Sequence, residues 1–557
     1  MTWPYHILSL SSEQKHERRV LLDRYGSYAQ LSALIPILGY QFYLLGRWAY
    51  WRTARSRAGY SVVSQPSGRH PHHSPLSATL RRWRAAQWWL NAEIAPGWGL
   101  RQYWIAGVVW GVWMLFLCTH RTGDGNSPFI LLNHIRLTLT DYLHLTKRFG
   151  IVAAAQFPLH YMLSMKSRYA PLVFLLRSSH ERLNPWHRLC GRIIYALLSV
   201  HAALYLNYYI QSDSLRKLRS RAAITGLLAF TLLALLTATS LDRPRRTSYR
   251  LFFTLHLLAA VFLIPLLFLH VSHLRLYILE TLLIYAFDRL SRRFLSTVTV
   301  PAHITRIPRT SLLHLCLPIP GTTLAAYRAA AGQHVYLSLP PGRTWTRRHL
   351  SNPFSVARVS DAGIELVVRA RDGPMTRALA ALADESSPPR ICVEGPLGGA
   401  RWFPDLWLEF DRVLIVAGGV GGTFAVPVSC ALRGGAEAET KGAGWVRFVW
   451  AVKAVEEVSW ADSEDGWLRD ENVSVHVTGS GREGEAGVEM AEMSDSGIGA
   501  RGRPDLRAIV DEVFAHGEGE RVAVLFCGPE GMGRDLKACV GRYAGRDIWW
   551  YEERFGW

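Results

Sequence analysis

Four histidines carry the first chemical signal in this chain. His187 and His201 lie in one strongly apolar stretch and His256 and His270 in another, and each pair is separated by fourteen residues. On an α-helix fourteen residues make a little under four turns, so both imidazoles of a pair face the same way, about 21 Å apart along the axis. Two such helices side by side could clamp two flat, bis-ligated metal macrocycles, one near each membrane face. Neutral imidazole is a common axial ligand of haem iron. The absence of Cys, Asp or Glu from those faces argues against a zinc or di-metal carboxylate site. The bland alternative is that these are four of 21 histidines, buried for packing or bonded to helix backbone. Ionisable side chains at bilayer depth are costly and usually functional, and the recurrence of the spacing favours the ligand reading. His160 and His273 also lie in or beside apolar segments, but neither has a partner at this spacing.

The elements that must position these residues are membrane helices. The chain has 557 residues, room for three or four domains, and its 49% hydrophobic content averages a lipid-like half with a water-soluble half. Apolar runs fall at 31–48, 102–119, 150–167, 187–209, 222–240, 250–271 and 274–288. Several reach the roughly 20 residues needed to span a bilayer. Seven helices are expected, with six as the fallback because the first and last runs are short or polar-flanked. The start, MTWPYHILSLSSEQKHERRV, lacks an uninterrupted apolar core followed by a cleavage site, so no removable signal peptide is expected. Seven cysteines are scattered without a CxxC, which points to neither a disulfide framework nor a zinc knuckle.

The formal net charge of +19 raises the question of nucleic acid, but its distribution excludes that partner. Basic residues gather beside apolar helices: Arg52, Arg55, Arg57, Arg81, Arg82 and Arg84 in the first long loop, Arg243, Arg245 and Arg246 before the 250 helix, and Arg289, Arg292 and Arg293 after the last. Such positions fit cytoplasmic loops facing anionic lipid; a generally basic solvated surface is the alternative. Arg216, Lys217, Arg219 and Arg221 then fall on the opposite side, so charge alone leaves orientation open. A soluble half that binds a nicotinamide settles it, because that pool is cytosolic, and an odd number of helices leaves the N-terminus outside.

From about residue 297 the pattern changes to short β-branched runs, STVTV, HVYLSL, IELVVRA and RICVEG, broken by Pro and Gly, which suggests a small antiparallel barrel. After about 408, DRVLIVAGGVGGTFAVPVSCAL reads as a buried strand, a glycine turn and a helix, the opening of a nucleotide-binding α/β sheet. Gly418, Gly419 and Gly421 permit a tight turn and close approach of a pyrophosphate to amides at the helix start. Later strands fall at VRFVWAV, VSVHV and VAVLFCG, and CGPEGM places Cys527 at a strand's carboxyl edge, where open α/β sheets put ligands. Lys453, just past VRFVWAV, could meet a 2′-phosphate or stand solvated. Residues 434–444 and 479–503 read as flexible, the second as an insertion too poor in apolar residues to pack. The histidine-rich RHPHHSP at 69–75 reads as a disordered loop, with weak metal binding as the alternative.

In this order the motifs resemble the fungal ferric-chelate reductases, membrane flavocytochromes related to the NADPH oxidases, from about residue 147 to the last. ERLNPWHRLCGR followed by His201 is similar to that family's first haem-ligand helix, and SYRLFFTLHLL through LFLHVSH to the second. FDRLSRRF resembles its basic exit. SNPFSVA stands at the flavin motif, VVRARDGPMTRAL at the flavin phosphate segment and VEGPLG at a Gly-Pro turn. AGGVGGTFAVP and CGPEGM match the nicotinamide motifs, and YEERFGW the acidic-aromatic terminus. Departures are also present. Asn352 replaces the usual flavin-motif histidine, with His349 close but out of register, Leu397 replaces a common aromatic, and DGPMT is one residue longer than usual. These put flavin affinity and geometry in question.

The resemblance implies an α-helical membrane bundle binding two b-type haems, a ferredoxin-reductase-like β-barrel FAD domain and an α/β NAD(P)-binding domain. The expected bounds are 1–148 for N-terminal helices with a basic loop, 149–290 for the haem-binding membrane domain, 297–403 for the barrel, and 408–557 for the nucleotide domain. It implies flavin contacts from Asn352, Pro353, Phe354, Ser355, Arg371, Gly373, Thr376, Gly395 and Pro396. Nucleotide contacts would come from Gly418, Gly419, Gly421, Thr423, Lys453, Cys527, Gly528, Pro529 and Met532, and an aromatic cover from Phe555 or Trp557. His187 would pair with His256 on an inner haem and His201 with His270 on an outer one. The implied activity carries electrons from cytosolic NADPH through FAD and two haems to an extracellular ferric or cupric chelate. The expected location is the plasma membrane, with the vacuolar membrane as a second option; an iron permease or oxidase partner is unassigned. Two rivals are kept: a superoxide-producing NADPH oxidase, and a haem-binding scaffold or transporter-like protein whose reductase lobe is non-functional.

Overall fold

The structure, a computed structural model, describes residues 5–6, 11–58, 75–95, 97–122, 140–339, 351–385, 387–433, 445–462, 466–479, 498–517 and 519–554. The chain divides into two compact units, Met1–Gln65 with Glu93–Ser291, and Pro66–Ala92 with Arg292–Trp557.

The first unit is helical apart from a short parallel pair, β1 (Tyr5–His6) and β2 (Thr140–Asp141). Its helices are α1 (Ser12–Ser32), α2 (Leu34–Ala58), α4 (Arg101–Thr119), α5 (Tyr142–Ala154), α6 (Phe157–Ser164), α7 (Pro171–Leu175), α8 (His180–Gln211), α9 (Arg221–Thr239), α10 (Asp242–Thr247), α11 (Tyr249–His270) and α12 (Arg275–Ser291); α3 (Pro75–Leu90) belongs to the second unit. Among the described residues five segments are long and apolar enough to cross a membrane: Ser12–Ala49, α4, α8, α9 and α11. This differs from the seven-helix expectation in two places. The run at 150–167 is divided between α5 and α6, because Pro158 has no amide to continue the ladder, and the run at 274–288 forms α12, of only 17 residues.

The helices show what surrounds them. Along α11, Leu251, Leu258, Phe262 and Leu269 are exposed while Ala259, Leu263, Ile264 and Leu267 are buried. The first set recurs at helical spacing and forms an apolar stripe turned away from the core, which is stable only against lipid. On α8 the buried set is Leu183, Cys190, Ile194 and Leu197, again one stripe. Ser220 caps α9 by accepting the Ala223 amide at 3.3 Å, satisfying one of the orphan donors of a helix start.

The second unit opens with seven antiparallel strands: β3 (Thr297–Pro301), β4 (His303–Arg306), β5 (Leu312–Leu317), β6 (His334–Ser338), β7 (Ser351–Ser360), β8 (Gly363–Arg369) and β9 (Arg390–Leu397), with α13 (Gly321–Arg328) and α14 (Pro374–Leu382). Their order is β3-β9-β6-β7-β8-β5-β4. β3 and β4 lie at opposite ends of that order yet are joined by one buried residue, Ala302, so the sheet must curl until its edges meet, as a barrel does. Val335, Leu337, Leu366, Val393 and Leu315 fill its interior.

Six parallel strands follow, β10 (Arg412–Gly418), β11 (Trp445–Val452), β12 (Val473–Val477), β13 (Ile498–Arg501), β14 (Arg521–Cys527) and β15 (Asp547–Glu553), in the order β13-β12-β11-β10-β14-β15. They are accompanied by α15 (Leu406–Glu409), α16 (Gly422–Arg433), α17 (Leu506–Phe514) and α18 (Glu530–Gly541). The central strands read as continuous apolar runs because both faces are covered: Val413 to Ala417 and Val522 to Cys527 are all buried. The order changes direction at β10, between β11 and β14, and a ligand crevice opens beyond the carboxyl ends of such strands.

Two basic residues expected to face lipid bind carboxylates instead. Arg84 of α3 bonds Asp547 at 2.7 Å and Arg292 grips Glu394 through two bonds of 2.6 and 2.8 Å, because a fork-shaped guanidinium bonds a fixed carboxylate better than a diffuse anionic surface. Around Arg84, the Trp88 ring meets Trp550 edge-on at 5.9 Å and Lys537 Nζ donates to the Asn91 carbonyl at 2.6 Å. α3 therefore packs against the nucleotide-binding fold. The 480–497 stretch, 434–444, most of 69–75, His349, Phe555 and Trp557 lie outside the described residues.

Candidate functional site

Two of the four histidines of matched spacing, one from each pair, meet across helices. α8 and α11 are separated by α9, so they run parallel, and His187 and His256 stand at corresponding depths with ring centroids 6.3 Å apart. Two imidazoles bound to one metal through bonds of about 2 Å place their centroids about 6 Å apart, so this separation suits a shared ion.

The tautomer of each ring is set by its surroundings. His187 Nδ1 lies 3.0 Å from the His160 carbonyl, His201 Nδ1 2.7 Å from the Thr146 carbonyl, and His270 Nδ1 2.7 Å from the Ala222 carbonyl. A carbonyl only accepts, so each Nδ1 carries the hydrogen. His256 Nδ1 lies 3.1 Å from Ser240 Oγ, whose own hydroxyl donates to the Leu236 carbonyl at 2.6 Å; the serine therefore accepts from the ring. Among the described residues no hydrogen bond reaches Nε2 of any of the four. A hydrogen bond at Nδ1 with a lone pair left at Nε2 is how proteins prepare histidine for a metal.

Close approach at the second pair depends on two glycines. A Cβ on Gly150 would lie 2.8 Å from His201 Cε1, and one on Gly226 2.5 Å from His270 Cε1. Each glycine is four residues beyond the carbonyl that accepts from the same ring, Thr146 and Ala222, so one turn of a neighbouring helix supplies both acceptor and cradle. The four imidazoles thus fit bis-histidine metal macrocycles. Sequence reading missed Gly150, Gly226, Ser240 and the carbonyls; the available signal was glycine in apolar helices, where it costs about 1 kcal/mol against alanine and calls for a reason. It also missed that His160 stacks on His187 at 4.0 Å. His273 instead meets Asp23 at 3.0 Å.

Arg148 was likewise unmarked. It is fully buried, with its guanidinium 3.3 Å from the Tyr25 ring centroid and a 2.7 Å bond to the His120 carbonyl. It lies between Thr146 and Gly150 in sequence, on the face of α5 turned away from His201 and toward α1.

In the other unit the glycine turn and CGPEGM are in contact. A Cβ on Gly421 would sit 2.0 Å from the Cys527 carbonyl oxygen, and one on Gly418 would meet Pro529 Cδ at 2.5 Å and Met532 Sδ at 3.3 Å. These glycines are required by the packing of two strand ends as well as by any ligand. Gly419 has φ +55°, and Trp450 Nε1 donates to its carbonyl at 2.9 Å. Thr423 Oγ1 donates to the Val420 carbonyl at 2.8 Å, and Gly528 follows Cys527 in the same crevice. Lys453 is exposed beyond β11. Burial, and then the Glu553 and Glu552 carboxylates, push the Cys527 thiol well above its ordinary range.

On the barrel, Ser355 is buried on β7 and paired in register with His334, whose Nδ1 lies 4.0 Å from Glu553 Oε1; Glu553 is opposite Cys527 in β14 and β15. The structure therefore gathers Ser355, His334, Glu553 and Cys527, of which only Ser355 and Cys527 stood out in the sequence. Asn352 is exposed, while Pro353 and Phe354 are half-buried. Thr376 Oγ1 donates to the Arg371 carbonyl at 2.7 Å and accepts from the Arg371 amide at 3.2 Å, closing the turn with Gly373 at the start of α14. Gly395 and Pro396 are joined by a cis bond and lie within β9.

Fold and site define a membrane-embedded oxidoreductase with a nucleotide-binding lobe. Residues 149–267 match the family model described as ferric reductase like transmembrane component, and residues 410–541 that described as ferric reductase NAD binding domain. Ferric/cupric reductase transmembrane component 2 of Schizosaccharomyces pombe is 26% identical over 499 residues, covering 77% of this chain and 86% of that protein. Ferric reductase transmembrane component 1 of the same organism is 24% identical over 448 residues, 71% and 77% of the two chains. Ferric reductase transmembrane component 4 of Saccharomyces cerevisiae is 27% identical over 353 residues, 60% and 46%. Over most of its length the chain is thus similar to ferric reductase transmembrane components of fungi.

Proposed function

We propose that the protein is an NADPH-dependent ferric-chelate reductase that carries electrons from the cytosol to an external ferric or cupric chelate, at the plasma membrane and in the service of iron or copper uptake. The names of its relatives point that way. The observation that carries the reading is internal: four imidazoles, each with Nδ1 engaged and Nε2 left for a metal, in the same chain as a parallel sheet with a nucleotide turn.

His187 and His256 would hold the inner of two b-type haems, and His201 and His270 the outer. Asn352, Pro353, Phe354, Ser355, Arg371, Gly373, Thr376, Gly395 and Pro396 would hold FAD, with Phe555 or Trp557 as its cover. When bound, the flavin would accept a hydride and release single electrons, and the haems would pass these across the bilayer. The chain's own residues orient and insulate. The carbonyls of His160, Thr146 and Ala222 and the hydroxyl of Ser240 hold the four rings in one tautomer, and Gly150 and Gly226 admit the His201 and His270 rings closely. Cys527 remains a neutral thiol at the strand edge where the nicotinamide would lie. NADPH rather than NADH is favoured by exposed Lys453, which is available to a 2′-phosphate.

The test is an anaerobic spectrum of the purified protein before and after NADPH, followed by a ferric chelate. Haem bands that sharpen with NADPH and bleach with the chelate support the reading. Bound haem that NADPH leaves oxidised would make the protein a scaffold, and superoxide release without iron, removed by dismutase, would make it an oxidase.

A further inference from the structure

Arg369 ends β8 of the barrel, yet its guanidinium stands over the glycine turn of the nucleotide lobe. Its Nη2 is 3.5 Å from where a Cβ of Gly419 would be, and Gly419 is the residue whose φ of +55° turns the chain into the start of α16. The same nitrogen bonds Glu457 Oε1 at 2.8 Å, and both side chains are largely buried, 17% and 7% exposed. Glu457 Oε2 accepts from the Lys453 amide at 3.4 Å, so this carboxylate lies between the phosphate-binding turn and the end of β11. Val420, inside the turn, packs with Trp460 against Ile307, Leu312, Ala357 and Val367 of the barrel. The barrel strands and the turn are thereby in apolar contact beside the ion pair.

A carboxylate beside a turn built for a pyrophosphate is electrostatically adverse to that ligand. A guanidinium in the same place is favourable, and planar, bidentate recognition of phosphate is what arginine does best. We propose that Arg369 is a phosphate-binding residue supplied to the nucleotide site by the barrel, and that Glu457 holds it while the site is empty. Binding of a dinucleotide exchanges the carboxylate for the pyrophosphate, so Glu457 competes with the nucleotide for one guanidinium. The inference rests on the nicotinamide-nucleotide reading of the 418–421 turn. It adds a contact from outside the α/β sheet and assigns Glu457 a negative effect on affinity.

The test uses the full chain in detergent and calorimetric titration with NADP⁺ and NAD⁺ without turnover. Arg369→Ala should weaken both nucleotides by a similar factor, about ten-fold, because both carry the pyrophosphate. Glu457→Gln should tighten both, by about three-fold, because it raises the fraction of sites with a free guanidinium. A merely structural bridge predicts the opposite sign or no change for Glu457→Gln. Wild-type affinity in Arg369→Ala, or weaker binding in Glu457→Gln, overturns the proposal. Should Arg369→Ala fail to fold, Glu457→Gln and Arg369→Lys decide it, the lysine variant keeping charge and losing part of the affinity. A wild-type chain that binds neither nucleotide would sink the nicotinamide reading itself, a result distinct from unchanged affinities in the variants.

Discussion

Ser240→Ala is the most selective perturbation of the paired-histidine site. Three of the four rings donate to backbone carbonyls, which no substitution removes, but His256 donates to the Ser240 hydroxyl at 3.1 Å. That hydroxyl is oriented by its own 2.6 Å bond to the Leu236 carbonyl, so it presents a lone pair to Nδ1. Alanine deletes the acceptor and leaves an N–H without a partner in an apolar setting, a loss of roughly 1–3 kcal/mol. Losing the hydrogen-bond partner of a metal-bound histidine commonly weakens metal affinity by about 10–100-fold, which matches that range on the scale of about 1.4 kcal/mol per decade. The hydrogen bond also favours the oxidised ion by making the imidazole a stronger donor. A differential of about 1 kcal/mol would raise a one-electron midpoint by roughly 40 mV. The assay is haem per protein by pyridine haemochrome together with a potentiometric titration. Haem at the His187 and His256 pair should be lost or shifted upward while the second pair is unchanged, and Ser240→Thr should restore the wild-type value. Two haems retained at wild-type potentials in Ser240→Ala would refute the assignment of Nε2 as the metal-facing nitrogen.

Four further outcomes are expected. His201→Ala should remove one of two haems and abolish ferric reduction, and an unchanged haem count would refute its role as a ligand. Gly421→Ala forces a Cβ against the Cys527 carbonyl at 2.0 Å, where only backbone can yield; it should destabilise the nucleotide lobe by about 3 kcal/mol, read by thermal denaturation. Gly373→Ala, whose nearest neighbour is Thr376 Oγ1 at 3.6 Å, should fall within about 0.5 kcal/mol of wild type. The Cys527 thiol is raised by burial and by two carboxylates, so the folded lobe keeps a proton that the unfolded chain loses above about pH 8.5. Its stabilising contribution is full below that pH and declines as pH rises, so Cys527→Ala should flatten the alkaline fall in stability, and a slope as steep as wild type would contradict this.

How much was legible in advance depended on whether the determining contacts were local. The fourteen-residue spacing of His187 with His201 and His256 with His270 could be read directly, since helical rise and twist are properties of the backbone. The glycine turn at Gly418 to Gly421 was legible for the same reason, as was the passage from apolar runs to short β-branched strands. The helix run at 150–167 was misjudged because hydropathy records apolar character and overlooks the missing amide of Pro158. Arg84 and Arg292 were assigned to lipid because composition cannot distinguish a solvated arginine from one with a carboxylate partner more than a hundred residues away.

Sequence by itself determined the inventory and its order: histidines at matched depths, then a barrel, then a parallel sheet with its glycine turn and Cys527 edge. Tertiary structure alone decided what those groups face. His201 meets Thr146 and Gly150, His270 meets Ala222 and Gly226, and Arg369 meets Glu457 and the Gly419 turn. In each case the partners come from separate elements, brought together by burial of apolar surface elsewhere, so no local pattern in the chain encodes the encounter.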